Sequence, residues 1–167
     1  HIGEVNEADA IFYLAFDRQN PSSICNCIEN ARTNARSVRT ALTIEMWQAI
    51  NTAWLEIKKF EMSLGKRDLT DRLELSRFLE FVRKASLDFD GSAHRTMLRN
   101  DAHWFSRLGL YVERADTTAR ILDVKYNVLL PDTEAVGGSL DYFQWTAILR
   151  AVSALTAYNW VYKDAIR

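Results

Sequence analysis

Eight charged residues in two stretches have the types and spacing that could do chemistry. They are Glu29, Arg32, Arg36 and Arg39 in the first stretch, and Glu113, Asp116, Arg120 and Asp123 in the second. On a helix turning about 100° per residue, the second four fall within a sector of roughly 80°. Arginines grouped in this way can clamp a carboxylate or phosphate through bidentate forks, and a carboxylate beside them can orient an amine or take a proton. Glu113 is the candidate base, with Arg36 and Arg120 as electrostatic clamps. The same residues also support an interhelical ion-pair network that only sets helix register. The sequence leaves both readings open.

The second stretch lies in residues 107–127. Helical geometry gives this segment two apolar stripes, one of Leu108, Val112, Ala115, Ala119, Leu122 and Tyr126, the other of Leu110, Ile121, Val124 and Val128. A helix apolar on two sides is packed on two sides, so the charges between the stripes are expected to be part-buried. The first stretch echoes the second without gaps. Glu29 matches Glu113, Ala31 matches Ala115, Ala35 matches Ala119 and Arg36 matches Arg120, while Arg32 meets Asp116 and Arg39 meets Asp123 with reversed sign. Small residues at Ala31, Ala35, Ala115 and Ala119 permit close helix approach. The expected seam sets an arginine-rich face against an acidic one.

The remaining elements follow from periodicity. Ala10–Phe16 is the tail of a first helix. Asn20-Pro21-Ser22-Ser23 is a stop followed by a start, because proline disfavours helix before it and serine caps the next N-terminus. The helix it opens is expected to run to about Leu42, with Ile24, Ile28, Ala31, Ala35, Val38 and Leu42 inward. Thr43 caps a third helix with Trp47, Ile50, Trp54 and Ile57 as its stripe and Gly65 as terminator. From Thr70 the period resumes through Leu73, Phe78, Phe81, Val82 and Ala85. Asp88, Asp90 and Gly91 predict a break near 88–92, then a short helical piece with Met97 and Leu98 leading to a cap at Asn100 or Asp101. Residues 131–138 are a loop. Ser139 starts one final helix carrying Trp145, Ile148, Val152, Leu155 and Trp160. No segment alternates with period two. The prediction is a single all-α domain over 1–167, an antiparallel bundle of about five to six helices with an internal pseudo-repeat.

Composition narrows the function. A formal net charge of -1 gives no overall pull towards nucleic acid or an anionic membrane. No apolar run approaches the roughly 20 residues of a membrane span. Cys25 and Cys27 form no disulfide framework or zinc site, and are expected to be buried structural thiols in a reducing, cytoplasmic setting. Neither His94 nor His103 follows a glutamate by three, so the ferritin-like di-metal pattern is missing and no metal is expected. There is no glycine-rich phosphate loop, hence no nucleotide cofactor. The tryptophans Trp47, Trp54, Trp104, Trp145 and Trp160 read as packing residues with no accompanying basic stripe. Lys58-Lys59 and Lys66-Arg67 read as solvated surface.

Four strings carry a resemblance. Asn20-Pro21-Ser22-Ser23-Ile24, the segment 29–39, Glu45-Met46-Trp47-Gln48-Ala49-Ile50-Asn51, and the segment 108–126 with Tyr111-Val112-Glu113-Arg114-Ala115 resemble the bacterial alpha-E family. They stand in the family's order, and the resemblance covers most of the chain from Phe16 to about Tyr162. Family members are helical proteins typically encoded beside, or fused to, circularly permuted ATP-grasp ligases, with transglutaminase-like peptidases nearby. The resemblance therefore implies an accessory role in ATP-dependent peptide or amide-bond formation or peptide tagging. The implied partners are an ATP-grasp-type amide ligase and a peptidic substrate. It also implies a missing N-terminal Tyr-x-Glu-Arg-Ala helix, and this chain has Leu110 where the family commonly has arginine. Two alternatives stand beside that role: an enzyme using Glu113 on a peptide or amide, and a structural bundle that forms a homo-oligomer through an exposed apolar patch.

Overall fold

A computed structural model describes residues 6–63, 71–127, 129 and 137–162. Seven α-helices occur among them: α1 (Glu7–Ala15), α2 (Ile24–Ser37), α3 (Ile44–Ser63), α4 (Arg72–Thr96), α5 (Asp101–Asn127), α6 (Ser139–Ala151) and α7 (Leu155–Val161). A single 3₁₀ turn, Arg39–Ala41, follows α2. No strand occurs among the described residues, so the chain is all-α as its periodicity predicts. Packing divides it into two compact units, His1–Ala102 and His103–Arg167, each described on its own below.

In the first unit α3 is the shared element, packed by α2 on one side and α4 on the other, with α1 against α2. Its buried ridge is Met46, Ile50, Ala53 and Ile57, at spacings of three and four. Ile50 and Ile57 match the expected stripe. Trp47 and Trp54 are half-buried at its flank, because the small Ala53 and the unbranched Met46 admit closer packing than an indole does. The apolar centre joins Phe16, Cys25, Ile57 and the fully buried Phe78. Phe78 meets Phe16 and Phe60 with ring centroids 4.8 and 5.4 Å apart.

The caps explain the helix starts. The Asn6 side chain accepts from the Asp9 amide, Ser23 from Asn26, and Asp71 from Leu73. Thr43 Oγ1 accepts from the Met46 amide at 3.3 Å and also bonds Thr96 Oγ1 at 2.7 Å, which ties the start of α3 to the end of α4. Several boundaries differ from expectation. α2 ends at Ser37 instead of Leu42, so Arg39 lies on the 3₁₀ turn with Nη1 donating to the Leu42 carbonyl. α4 runs unbroken through Asp88, Asp90 and Gly91. A mid-helix glycine costs only about 1 kcal/mol, and α4 is held on both sides of Gly91, by Phe81 against Phe60 and by Thr96 against Thr43. Met97 is a buried cap residue and Leu98 is exposed outside any helix. The expected terminator Gly65, the start at Thr70, Lys66-Arg67 and most of the loop 131–138 lie outside the described residues.

In the second unit the expected single final helix is two. Ser153, at φ 58°, occupies the left-handed position after α6. Its amide donates to Arg150, and the Ala154 amide to Leu149 at 2.7 Å. This is a Schellman stop with serine where glycine is favoured.

Two stability outcomes follow. Phe78→Ala empties the centre of the first unit and should cost about 3–5 kcal/mol in denaturant unfolding. Ser153→Gly relieves the left-handed strain and should stabilise the second unit by up to about 1 kcal/mol, read as a rise in its thermal midpoint.

Candidate functional site

The arginine-rich stretch and its surroundings form two adjoining clusters on the α2–α3 side of the first unit. One is a closed ionic network. Arg18, in the α1–α2 connection, donates from Nη1 to Glu29 Oε2 at 2.7 Å and to Asn26 Oδ1 at 3.1 Å, and from Nη2 to Glu61. Lys58 lies 3.3 Å from Glu29 Oε2 and 3.1 Å from Glu61 Oε2. The Asn26 side chain donates to the carbonyls of Arg18 and Asn20 at 3.0 and 2.8 Å, which holds the loop bearing Arg18 in place. Two cations meet two carboxylates, so the network is neutral. Partial burial pushes the Glu29 carboxyl up, but the hydrogen bonds from Arg18 and Lys58 outweigh it and leave the group below its usual range. Burial pushes the neighbouring Cys25 thiol up to about 12, and the Glu61 charge adds to the rise. Cys25 is therefore a protonated thiol at neutral pH and no nucleophile. Cys27 is exposed, contrary to the expectation of two buried thiols.

The other cluster interleaves cations with indoles. The Arg32 guanidinium carbon lies 4.1 Å from the Trp54 ring centroid and 5.8 Å from that of Trp47. Arg39 lies 5.4 Å from Trp47, and Lys58 5.8 Å from Trp54. Such contacts contribute about 0.5–2 kcal/mol each, increasing with desolvation. A basic stripe does accompany these two tryptophans, which corrects the reading from sequence, and Lys58 is half-buried instead of solvated. Arg32 Nε donates to Asn51 Oδ1 at 2.9 Å. Arg32 and Arg39 are half-buried and Arg36 is exposed, and none of the three meets a carboxylate among the described residues. Trp54 Nε1 is buried with no acceptor among the described residues.

The other four candidates lie on α5 in the second unit, whose own helices leave Glu113, Asp116, Arg120 and Asp123 exposed. Their partners are one turn away. Thr117 Oγ1 donates to Glu113 at 3.1 Å, Arg120 Nε to Asp116 at 2.8 Å, and Asn127 Nδ2 to Asp123 at 2.6 Å. The hydrogen bond from Arg120 to Asp116 is a solvated i,i+4 pair, with the two side chains 77% and 59% exposed. Within this unit Leu108, Val112, Val124 and Tyr126 are exposed as well, while Ile121 and Leu122 are half-buried.

The covered charge of the second unit is one that sequence reading missed. Lys125, fully buried, donates from Nζ to Asp141 Oδ1 at 2.5 Å and to Gln144 Oε1 at 2.7 Å, with the Trp145 ring centroid 5.5 Å away. The Gly137 amide donates to Asp141 Oδ2 at 3.1 Å. No spacing rule could find this pair, because it joins two helices across a loop. No group of three or more His, Cys, Asp or Glu among the described residues is placed to hold a metal ion, and no described helix is long and apolar enough to cross a membrane.

The hydrogen bonds from Lys125 and the Gly137 amide hold Asp141 below its ordinary value of 3.8. Its contribution to stability is thus complete above that value and is lost as pH falls through the lower folded one. Asp141→Asn should abolish this acid-dependent step while destabilising the second unit at neutral pH, because Lys125 stays buried without a counter-charge. Acid titration followed by carboxyl NMR and by Trp145 emission reads both effects.

A family described as a predicted α-helical domain with a conserved ER motif matches residues 1–167. No curated protein and no solved structure matches the chain.

Proposed function

The chain belongs to the Alpha-E family, and from that premise we propose that it is an accessory module of an ATP-grasp-linked system that forms amide bonds or tags peptides. In this reading it supplies no complete catalytic set. It holds an anionic or peptidic substrate for a partner amide ligase that brings its own nucleotide site, in a reducing, cytoplasmic setting. The observation that carries the proposal is the state of Arg32 and Arg39, half-buried on Trp47 with no carboxylate among the described residues to neutralise them. Every neighbouring charge in the Arg18–Glu29–Lys58–Glu61 network is compensated. A partly desolvated guanidinium left without an anion is unfavourable unless something supplies one, and its planar fork suits a carboxylate.

The chain's one Glu-Arg pair is Glu113-Arg114. In this proposal Glu113, Asp116, Arg120 and Asp123 form a polar face of the second unit's own, whose one-turn partners can be exchanged for ligand groups. The enzyme alternative would give Glu113 the role of base. Nothing in its exposed setting beside Thr117 favours that role over an orienting one.

The test adds the full chain to the neighbouring ATP-grasp ligase and follows ligase turnover on a carboxylate substrate. The chain should co-purify with the ligase and raise turnover at low substrate. Arg32→Gln with Arg39→Gln should remove that gain, each lost charge-assisted contact being worth roughly tenfold in substrate affinity. No association and unchanged turnover would overturn the proposal.

A further inference from the structure

Arg32, Arg36 and Arg39, which meet no carboxylate among the described residues, follow one another at a spacing that constrains what can bind them. Arg32 and Arg36 are one helical turn apart on α2, a rise of about 6 Å. Arg39 follows in the 3₁₀ turn after a further rise of about 5 Å. At the Arg32 end the line is bounded by the neutral network of Arg18, Glu29, Lys58 and Glu61. It runs from there to the Leu42 carbonyl, which accepts from Arg39 at 3.2 Å. Arg32 and Arg39 are pinned, one by Asn51 and the faces of Trp54 and Trp47, the other by Trp47 and that carbonyl. Arg36 between them is exposed and makes no such contact. Two fixed forks thus flank a solvent-exposed one, with an indole as the apolar wall.

An extended peptide places alternate side chains on one face about 6.5 Å apart. The backbone rises of about 6 and 5 Å between the three arginines come close to that repeat, and their long side chains take up the difference. A single phosphate or a free amino acid reaches only one or two of them. Resting on the accessory-module reading above, we propose that the ligand of this surface is an acidic peptide bound in extended form, with carboxylates at every second residue facing Arg32, Arg36 and Arg39. The apolar parts of the intervening chain pass over Trp47. Bidentate pairing at three points gives the surface selectivity for carboxylate spacing and not for charge alone.

The proposal is tested on the full chain by tryptophan emission and by NMR of the arginine side chains, with three probes. These are a blocked hexapeptide alternating glycine and glutamate, its isomer with the three glutamates contiguous, and inorganic phosphate. The alternating peptide should bind about tenfold more tightly than its isomer, as expected for one extra charge-assisted pair. Arg36→Gln should erase that preference while leaving the helical circular dichroism unchanged, since Arg36 supports no other group. Arg36→Lys, which keeps the charge and loses the fork, should restore only part of it. Trp47→Phe should remove most of the emission response. If both peptides and phosphate bind equally through Arg36, the alternating-carboxylate assignment is overturned and the anion-holding module stands. If none binds, both fail.

Discussion

The first unit depends on the burial of one ridge, Met46, Ile50, Ala53 and Ile57, between two flanking helices. Close packing of α2 and α4 against that ridge leaves no room on it for an indole, so the bulkiest side chains stand at its margins. That is why Trp47 and Trp54 are half-covered, and why Arg32 and Arg39 meet indole faces. The unusual state of Arg32 and Arg39 is thus a product of packing.

Two kinds of charge result along the same helix pair. Towards the α1–α2 connection the cations are matched, and the match is structural, because Asn26 and Arg18 together hold a loop against α2 and α3. Towards the 3₁₀ turn the cations are unmatched but geometrically fixed. A module that presents charge to a ligand needs both: a neutral anchor that keeps the helices in register, and an open set that has lost part of its hydration before any ligand arrives.

Much of this was legible in the chain. A serine before α2 and Thr43 before α3 could be named as caps because their chemistry is local, and Ile50 and Ile57 of the α3 ridge followed from its period. Arg32 and Arg39 are seven residues apart, as are Trp47 and Trp54, so the antiparallel ladder was available to anyone who paired the two spacings. The break after α6 was not legible. It depends on Ser153 adopting a left-handed conformation that serine seldom takes. Nor was the partner of Glu29, since Arg18 reaches it from a connection with no period at all. Gly91 misled in the opposite sense: its intrinsic preference predicts a break, and contacts at both ends of α4 override it. The pseudo-repeat pointed to charged faces, but side-chain pattern cannot tell a solvated i,i+4 ladder such as Asp116–Arg120 from a covered seam.

The two cysteines, two positions apart, differ in one respect that matters for handling the protein. Cys27 is open to water, whereas Cys25 is sealed in the aromatic centre and kept as a thiol. An alkylating reagent will therefore mark one sulfur in the native protein and reach the other only when α1, α2 and Phe78 separate. The chain carries a built-in clock for the opening of its first half, read by counting adducts on the intact mass, and blind to whatever the second half is doing.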